Sequence, residues 1–296
     1  MTGKLFIQLL VNGISIGAVY ALIAVGFALV FSVLKFSNFS FGGTISACAF
    51  IGFFFQKAFN QPPYWITVLV SSVAGVLIAL TVDLLGFNRI RKKNSPKIYY
   101  FLSSVVFAIM IEQILTVFYG TQMYAFPSIF ATTTLQIGGI TFSKLDMTIL
   151  AIAISLLVIL IIIIDKTKLG LAIRAVAINS NTSRLMGINS SVIIVLTFAI
   201  AGFLGGITGV MLGQKYSVYA SLGPSMMLKG FIASVIGGLG SLGGAIVAAI
   251  LLGVVEIFAT FVFGAEIVPI VLFGIMLIFL LVRPQGIAGR IAEEKA

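Results

Sequence analysis

The chain has 296 residues, of which 60% are hydrophobic and 9% charged, against about 25% charged for an average soluble domain. With a mean hydropathy of +1.21, this excludes a water-soluble globular protein and predicts an all-α, polytopic transmembrane fold whose helices satisfy their own backbone in lipid. The absence of histidine removes imidazole acid–base chemistry, Ser–His and Cys–His triads and zincin motifs, so no catalytic residue, metal site or cofactor is expected. The net charge of +10 is held in short segments between apolar runs, where the positive-inside bias accounts for it without nucleic acid. Cys48, the sole cysteine, lies in an apolar stretch and reads as a small buried residue.

Apolar segments occupy approximately 5–34, 39–59, 64–87, 98–119, 146–164, 192–213, 225–240, 243–263 and 266–282. They predict about 8–10 spans, with the Gly-rich pieces as candidates for broken or re-entrant helices. The first run starts directly after Lys4, exceeds a signal-peptide core and lacks a clear small-residue cleavage site, so it is read as a retained span. Residues 88–97, residues 165–190 and the tail with Arg283, Arg290 and Lys295 hold twelve of the eighteen Lys and Arg. All three are therefore placed in the cytoplasm, with the C-terminus inside. Residues 120–145, with one basic residue, a proline and a Gly-Gly pair, read as an ordered outer loop. Ser40-Phe-Gly-Gly-Thr-Ile-Ser-Ala echoes Ser241-Leu-Gly-Gly-Ala-Ile-Val-Ala, with Gly52 and Gly253 at the same offset. Coincidence in a Gly- and Ala-rich chain and internal duplication both stay open.

Only two acids, Glu112 and Glu256, lie well inside apolar spans, and no Lys or Arg is expected deep in any of them. Asp83, Asp146, Asp165 and Glu266 fall nearer span ends, where water or headgroups reach them. Each inner glutamate is either a group that polarises a pathway or a helix-to-helix hydrogen bond. The stretch from Asn38 through Gly42 and Gly43, and the pair Gly237 and Gly238, suit either close helix packing or backbone amides exposed along a passage. Gly202, Gly205, Gly206 and Gly209 present small faces for close helix approach. Gly237 to Gly244 fits a broken helix or a tight turn. No GxxxxGK[ST] sequence is present, so ATP is not hydrolysed by a P-loop of this chain.

The segment from Leu169 to Asn189 reads as a short helix, a break at Asn179 to Asn181 with helix-starting side chains, and a second helical turn ended by Gly187. Leu169, Leu171, Ile173, Leu185 and Met186 on such an exposed element call for a covering partner surface.

Gly170-Leu-Ala-Ile-Arg-Ala, Leu185-Met-Gly-Ile-Asn and Thr197-Phe-Ala-Ile-Ala-Gly-Phe-Leu-Gly-Gly-Ile-Thr-Gly-Val closely resemble the permeases of branched-chain amino-acid ABC importers, the LIV (leucine, isoleucine, valine) type. The resemblance runs on through Lys229-Gly-Phe-Ile-Ala-Ser-Val-Ile-Gly-Gly-Leu-Gly-Ser-Leu-Gly-Gly-Ala to Arg283-Pro-Gln-Gly-Ile. It also covers the start, through Asn12-Gly, Gly17-Ala-Val-Tyr-Ala-Leu-Ile-Ala-Val-Gly-Phe and Asn38-Phe-Ser-Phe-Gly-Gly.

The resemblance implies one permease domain over residues 1–296 in the plasma or inner membrane, without catalytic activity of its own. The partners it implies are cytoplasmic ABC ATPase subunits, a second identical or homologous permease subunit and an extracytoplasmic solute-binding protein, besides membrane lipid. Residues 165–190 become the coupling segment, with Gly170, Arg174, Ala175, Arg184, Leu185, Met186, Gly187, Ile188 and Asn189 as its docking residues. The chain departs from the family where it reads Ser40-Phe41-Gly42-Gly43, often the place of a His or an acid, and at Ile178, often an acid. A same-fold permease for urea, an amide or a sugar is the alternative; an ion-coupled carrier or channel is a more distant one, since such carriers need more ionisable groups at depth.

Overall fold

The computed structural model describes residues 3–60, 62–93, 95–127, 134–137 and 140–288. Arg290 and Lys295 of the basic tail, and residues 128–133 and 138–139 of the expected outer loop, lie outside the described residues.

Each apolar run forms a helix, the one local arrangement that pairs its backbone without water. In chain order these are α1 (Gly3–Leu34), α2 (Ser40–Ala58), α3 (Tyr64–Val82), the short α4 (Asn88–Lys92), α5 (Lys97–Tyr119), α6 (Lys144–Lys166), the interhelical pair α7 (Lys168–Ile178) and α8 (Ser180–Leu185), then α9 (Ser190–Tyr216), α10 (Leu222–Gly237), α11 (Leu242–Phe263) and α12 (Val268–Val282). A π-helical turn, Asp83–Phe87, carries α3 into α4 without a break. Among the described residues six helices are long and apolar enough to cross a membrane. The expected 8–10 spans thus resolve into six of full length, the more polar α2, and two short ones: α10 has 16 residues and α12 has 15, a rise of about 24 and 22 Å against a hydrocarbon core of about 30 Å.

The chain packs as two compact units, Met1–Ala28, Thr132–Leu157 and Lys229–Ala296 in the first, Leu29–Ala131 and Val158–Leu228 in the second. In the second unit α9 lies against α2 and α3 through glycine. A Cβ on Gly75 of α3 would run into the carbonyl oxygen of Gly202, and one on Gly206 into that of Ser71. One turn round the same helix, a Cβ on Gly209 would stand 2.6 Å from the Ile45 carbonyl oxygen of α2. The four glycines therefore serve two contacts, Gly202 and Gly206 toward α3, Gly205 and Gly209 toward α2, and backbones approach where side chains would hold them apart. Phe36, Phe87, Tyr100 and Phe198 close one side of this unit in tilted and stacked ring contacts.

In the first unit the same device joins α1 to α11. A Cβ on Gly17 would stand 2.7 Å from Ile250 Cα, and Gly253 faces Gly17 directly. Gly52 of α2, at the matching offset of the echoed sequence, meets Val210 in the second unit. Both echoed segments thus open a helix and place a glycine at a close approach twelve residues on. The first unit also holds a feature absent from the all-helical reading, a hairpin of β1 (Thr134–Ile137) and β2 (Ile140–Ser143), with Thr134 opposite Ser143 and Ile137 opposite Ile140. Its signal was present in the sequence, since Gly138-Gly139 between two isoleucines is hairpin-turn composition.

Candidate functional site

The segment between α6 and α9 is built from caps. Thr167 Oγ1 accepts the Gly170 amide at 3.2 Å and opens α7. Asn179 Oδ1 accepts the Asn181 and Thr182 amides at 2.9 and 3.1 Å and opens α8. Gly187 ends α8 at φ +82°: its amide donates to Arg184 O, and the Ile188 amide reaches back to Ser183 O, the paired bonds of a Schellman closure. Asn189 then caps α9 through the Ser191 and Val192 amides at 3.1 and 3.3 Å. Two further contacts tie the pair to the spans: Gly170 packs against the Ile164 carbonyl at the end of α6, where any Cβ would collide, and Ser190 Oγ donates to Ser180 O at 3.0 Å.

This rigid element exposes apolar surface. Ile178 and Leu185 are 87% exposed and Met186 79%, and Leu171 stands out beside them. Ile173 departs from the expectation: with Val176 it is buried, the inner face of an amphipathic turn. Ala175 and Ile188 are half-buried, whereas Arg174, Arg184 and Asn189 are exposed. Arg174 pairs loosely with Asp165 at 3.5 Å.

A second constellation lies in the first unit. Lys229 Nζ stands 2.5 Å from Glu256 Oε1 and donates to Tyr20 Oη at 3.0 Å, with the ammonium 5.3 Å from the centre of the Tyr20 ring. This corrects the expectation that no Lys or Arg lies deep in a span. α10 begins at Leu222 rather than near 225, which makes Lys229 the eighth of its sixteen residues. Asp83 is a second correction: expected near a water-accessible end, it is buried and held by Arg91 in two bonds of 2.8 and 3.1 Å. The π-helical turn at Asp83 supplies the geometry, since Arg91 comes back over it eight residues later.

The remaining candidates have contacts of their own. Asn38 is buried, and its Oδ1 accepts the Ser40 amide and hydroxyl at 3.2 and 2.6 Å, so it pins the start of α2. Gly42 and Gly43 are buried within α2; Gly42 faces Pro224 and Met227, Gly43 faces Ile111. Glu112 is half-buried and its carboxylate has no ion pair among the described residues. Gly237 closes α10, and the backbone of Gly238, at φ +103°, turns toward Ser241, which caps α11. The carbonyls of Ile236 and Gly237 accept the amides of Ile287 and Ala288.

A polytopic helical chain of this kind is an integral membrane protein. Residues 9–281 match the family described as branched-chain amino acid transport system, permease component, and the chain belongs to it. The high-affinity branched-chain amino acid transport system permease protein BraD of Pseudomonas aeruginosa is 30% identical over 98% of both chains. LivH of Escherichia coli, of the same description, is 29% identical over 98% of this chain and 97% of its own. Among solved structures, PsaBC from Streptococcus pneumoniae in complex with a Fab is similar at a TM-score of 0.53 with 13% identity, covering 94% of this chain and 91% of that one. At that identity the likeness is one of fold.

Proposed function

We propose that this chain is the non-catalytic permease subunit of an ABC importer of branched-chain amino acids. It works with a second permease copy or homologue, cytoplasmic ATPase subunits and an extracytoplasmic solute-binding protein. The exposed Ile178, Leu185 and Met186 on a helix pair braced by four caps carry the coupling role of residues 165–190, because so much apolar surface beside Arg174 and Arg184 needs a partner to cover it. Gly170 against α6 and Ser180 against α9 make the pair stiff, so movement of a docked ATPase passes into two spans rather than being lost in a loop. The cytoplasmic side of this segment and of the C-terminus follows from the positive-inside charge distribution.

The Lys229–Glu256 pair argues against a polyanionic cargo, because two charges that neutralise each other offer no net field to hold one. The test is reconstitution. The purified chain alone should turn over no ATP, and joined to its ATPase and binding protein it should drive ATP-dependent leucine, isoleucine and valine uptake. Cysteine replacing Met186 should crosslink to the ATPase. ATP turnover by the chain alone, or labelling of residue 186 by extracytoplasmic reagents in intact cells, would refute the assignment.

A further inference from the structure

Between α4 and α5 the second unit carries a groove of about 540 Å³, apart from the residues assigned to coupling. We propose that it binds one anionic phospholipid of the leaflet next to residues 88–97. Its rim is cationic: Arg89, Lys92 and Lys93 border it, all exposed and without a carboxylate partner among the described residues. Arg91, the neighbouring base, is already taken by Asp83. Its wall is apolar, formed by Leu102 and Val106 of α5, which are 58% and 55% exposed on a helix apolar enough to cross a membrane. Ser95 and Tyr99 lie between rim and wall.

Three cations this close repel one another, so an anion among them relieves a cost the chain otherwise bears. A soluble phosphate would satisfy those charges and leave the wall uncovered. The step from basic rim through hydroxyls to exposed leucine and valine, along two turns of α5, follows the step from headgroup to acyl chain in a phospholipid. The inference rests on the membrane placement of α5 in the proposed function, and not on its substrate or coupling.

Native mass spectrometry of the purified permease, titrated with phosphatidylglycerol or phosphatidylcholine, tests it. The wild type should retain one phosphatidylglycerol per chain in preference to phosphatidylcholine. The triple variant Arg89→Gln, Lys92→Gln, Lys93→Gln should weaken retention about a hundredfold, in line with roughly a tenfold loss or less for each basic residue near a membrane surface. A control with the same charge loss at Lys57, Lys144 and Lys168 should not, and Leu102→Asn should weaken retention with every charge in place. Equal retention of the two lipids by the wild type overturns the proposal whatever the variants do. So does a triple variant that keeps its lipid, a control that loses it equally, or displacement by glycerol phosphate at the concentration of the lipid, which would make the occupant a soluble phosphate. Helical circular dichroism identifies a misfolded triple variant, in which case Lys92→Gln, Lys93→Gln is scored in its place. The assay contains no ATPase, binding protein or amino acid, so its failure and a failure of transport are separate results.

Discussion

The ammonium of Lys229 in α10 reaches Oε1 of Glu256 in α11 at 2.5 Å while donating to the Tyr20 hydroxyl of α1, so one cation holds three helices of the first unit together. The second carboxylate oxygen, Glu256 Oε2, is buried without a hydrogen-bond partner among the described residues. At membrane depth each charge is tolerable because the other is present.

Removing one partner should therefore cost more than removing both. Lys229→Met or Glu256→Leu alone is expected to lower stability by about 2–4 kcal/mol, somewhat less than a fully buried pair, because the Lys229 side chain keeps 22% of its exposure. The double variant Lys229→Met, Glu256→Leu should recover most of that loss. Thermal unfolding in detergent of the two single variants and the double gives the coupling directly. A double variant no more stable than the worse single would show that the charges do not depend on each other.

Glycines in this chain should respond to alanine in opposite directions according to what faces them. Gly75→Ala puts a methyl into the Gly202 carbonyl, a backbone atom that cannot rotate away, and should cost about 2–3 kcal/mol. Gly243 in the first turn of α11 has open space, so Gly243→Ala should leave stability unchanged or raise it by about 0.5–1 kcal/mol through helix propensity. Unfolding midpoints of the two variants decide the matter, and similar losses in both would mean that close approach of α3 and α9 is not what Gly75 provides.

Gly187 has the same open surroundings but a left-handed backbone. Gly187→Val should strain the end of α8 by about 1–2 kcal/mol, loosening the helix pair while ATP hydrolysis by the assembled transporter continues. Transport per ATP should fall, and Gly187→Asn, which tolerates φ > 0, should restore much of it. An unchanged ratio in Gly187→Val would remove the rigid helix pair from the coupling mechanism.

Asp83→Asn breaks a bidentate pair in which the carboxylate side chain is 5% exposed and Arg91 16%. We expect a loss of about 2–4 kcal/mol, partly recovered in the double variant with Arg91→Gln. Arg91, once released, adds a fourth cation beside Arg89, Lys92 and Lys93, so anionic lipid should bind Asp83→Asn more tightly than the wild type. Lipid retention no higher than that of the wild type would mean that Arg91 turns away from the groove.

Among the described residues, hydropathy alone located the six long apolar helices, α2 and the shorter α10 and α12, because an unpaired amide in lipid costs several kcal/mol and a long apolar run has no alternative to helix. The break at Asn179 and the stop at Gly187 were equally legible, since caps are local arrangements of a side chain or a left-handed residue with backbone groups a few residues away. What lay outside reach were relations between distant positions. Lys229 reads as a span-edge lysine until Glu256 and Tyr20 are brought to it, Asp83 reads as accessible until Arg91 folds back over it, and Ile173 reads as exposed until its turn lies on the inner face. Which neighbour satisfies a buried charge, and which carbonyl a glycine approaches, depend on helix rotation and crossing. Those are set by side chains interlocking within each packed unit, and no local pattern of residues encodes them.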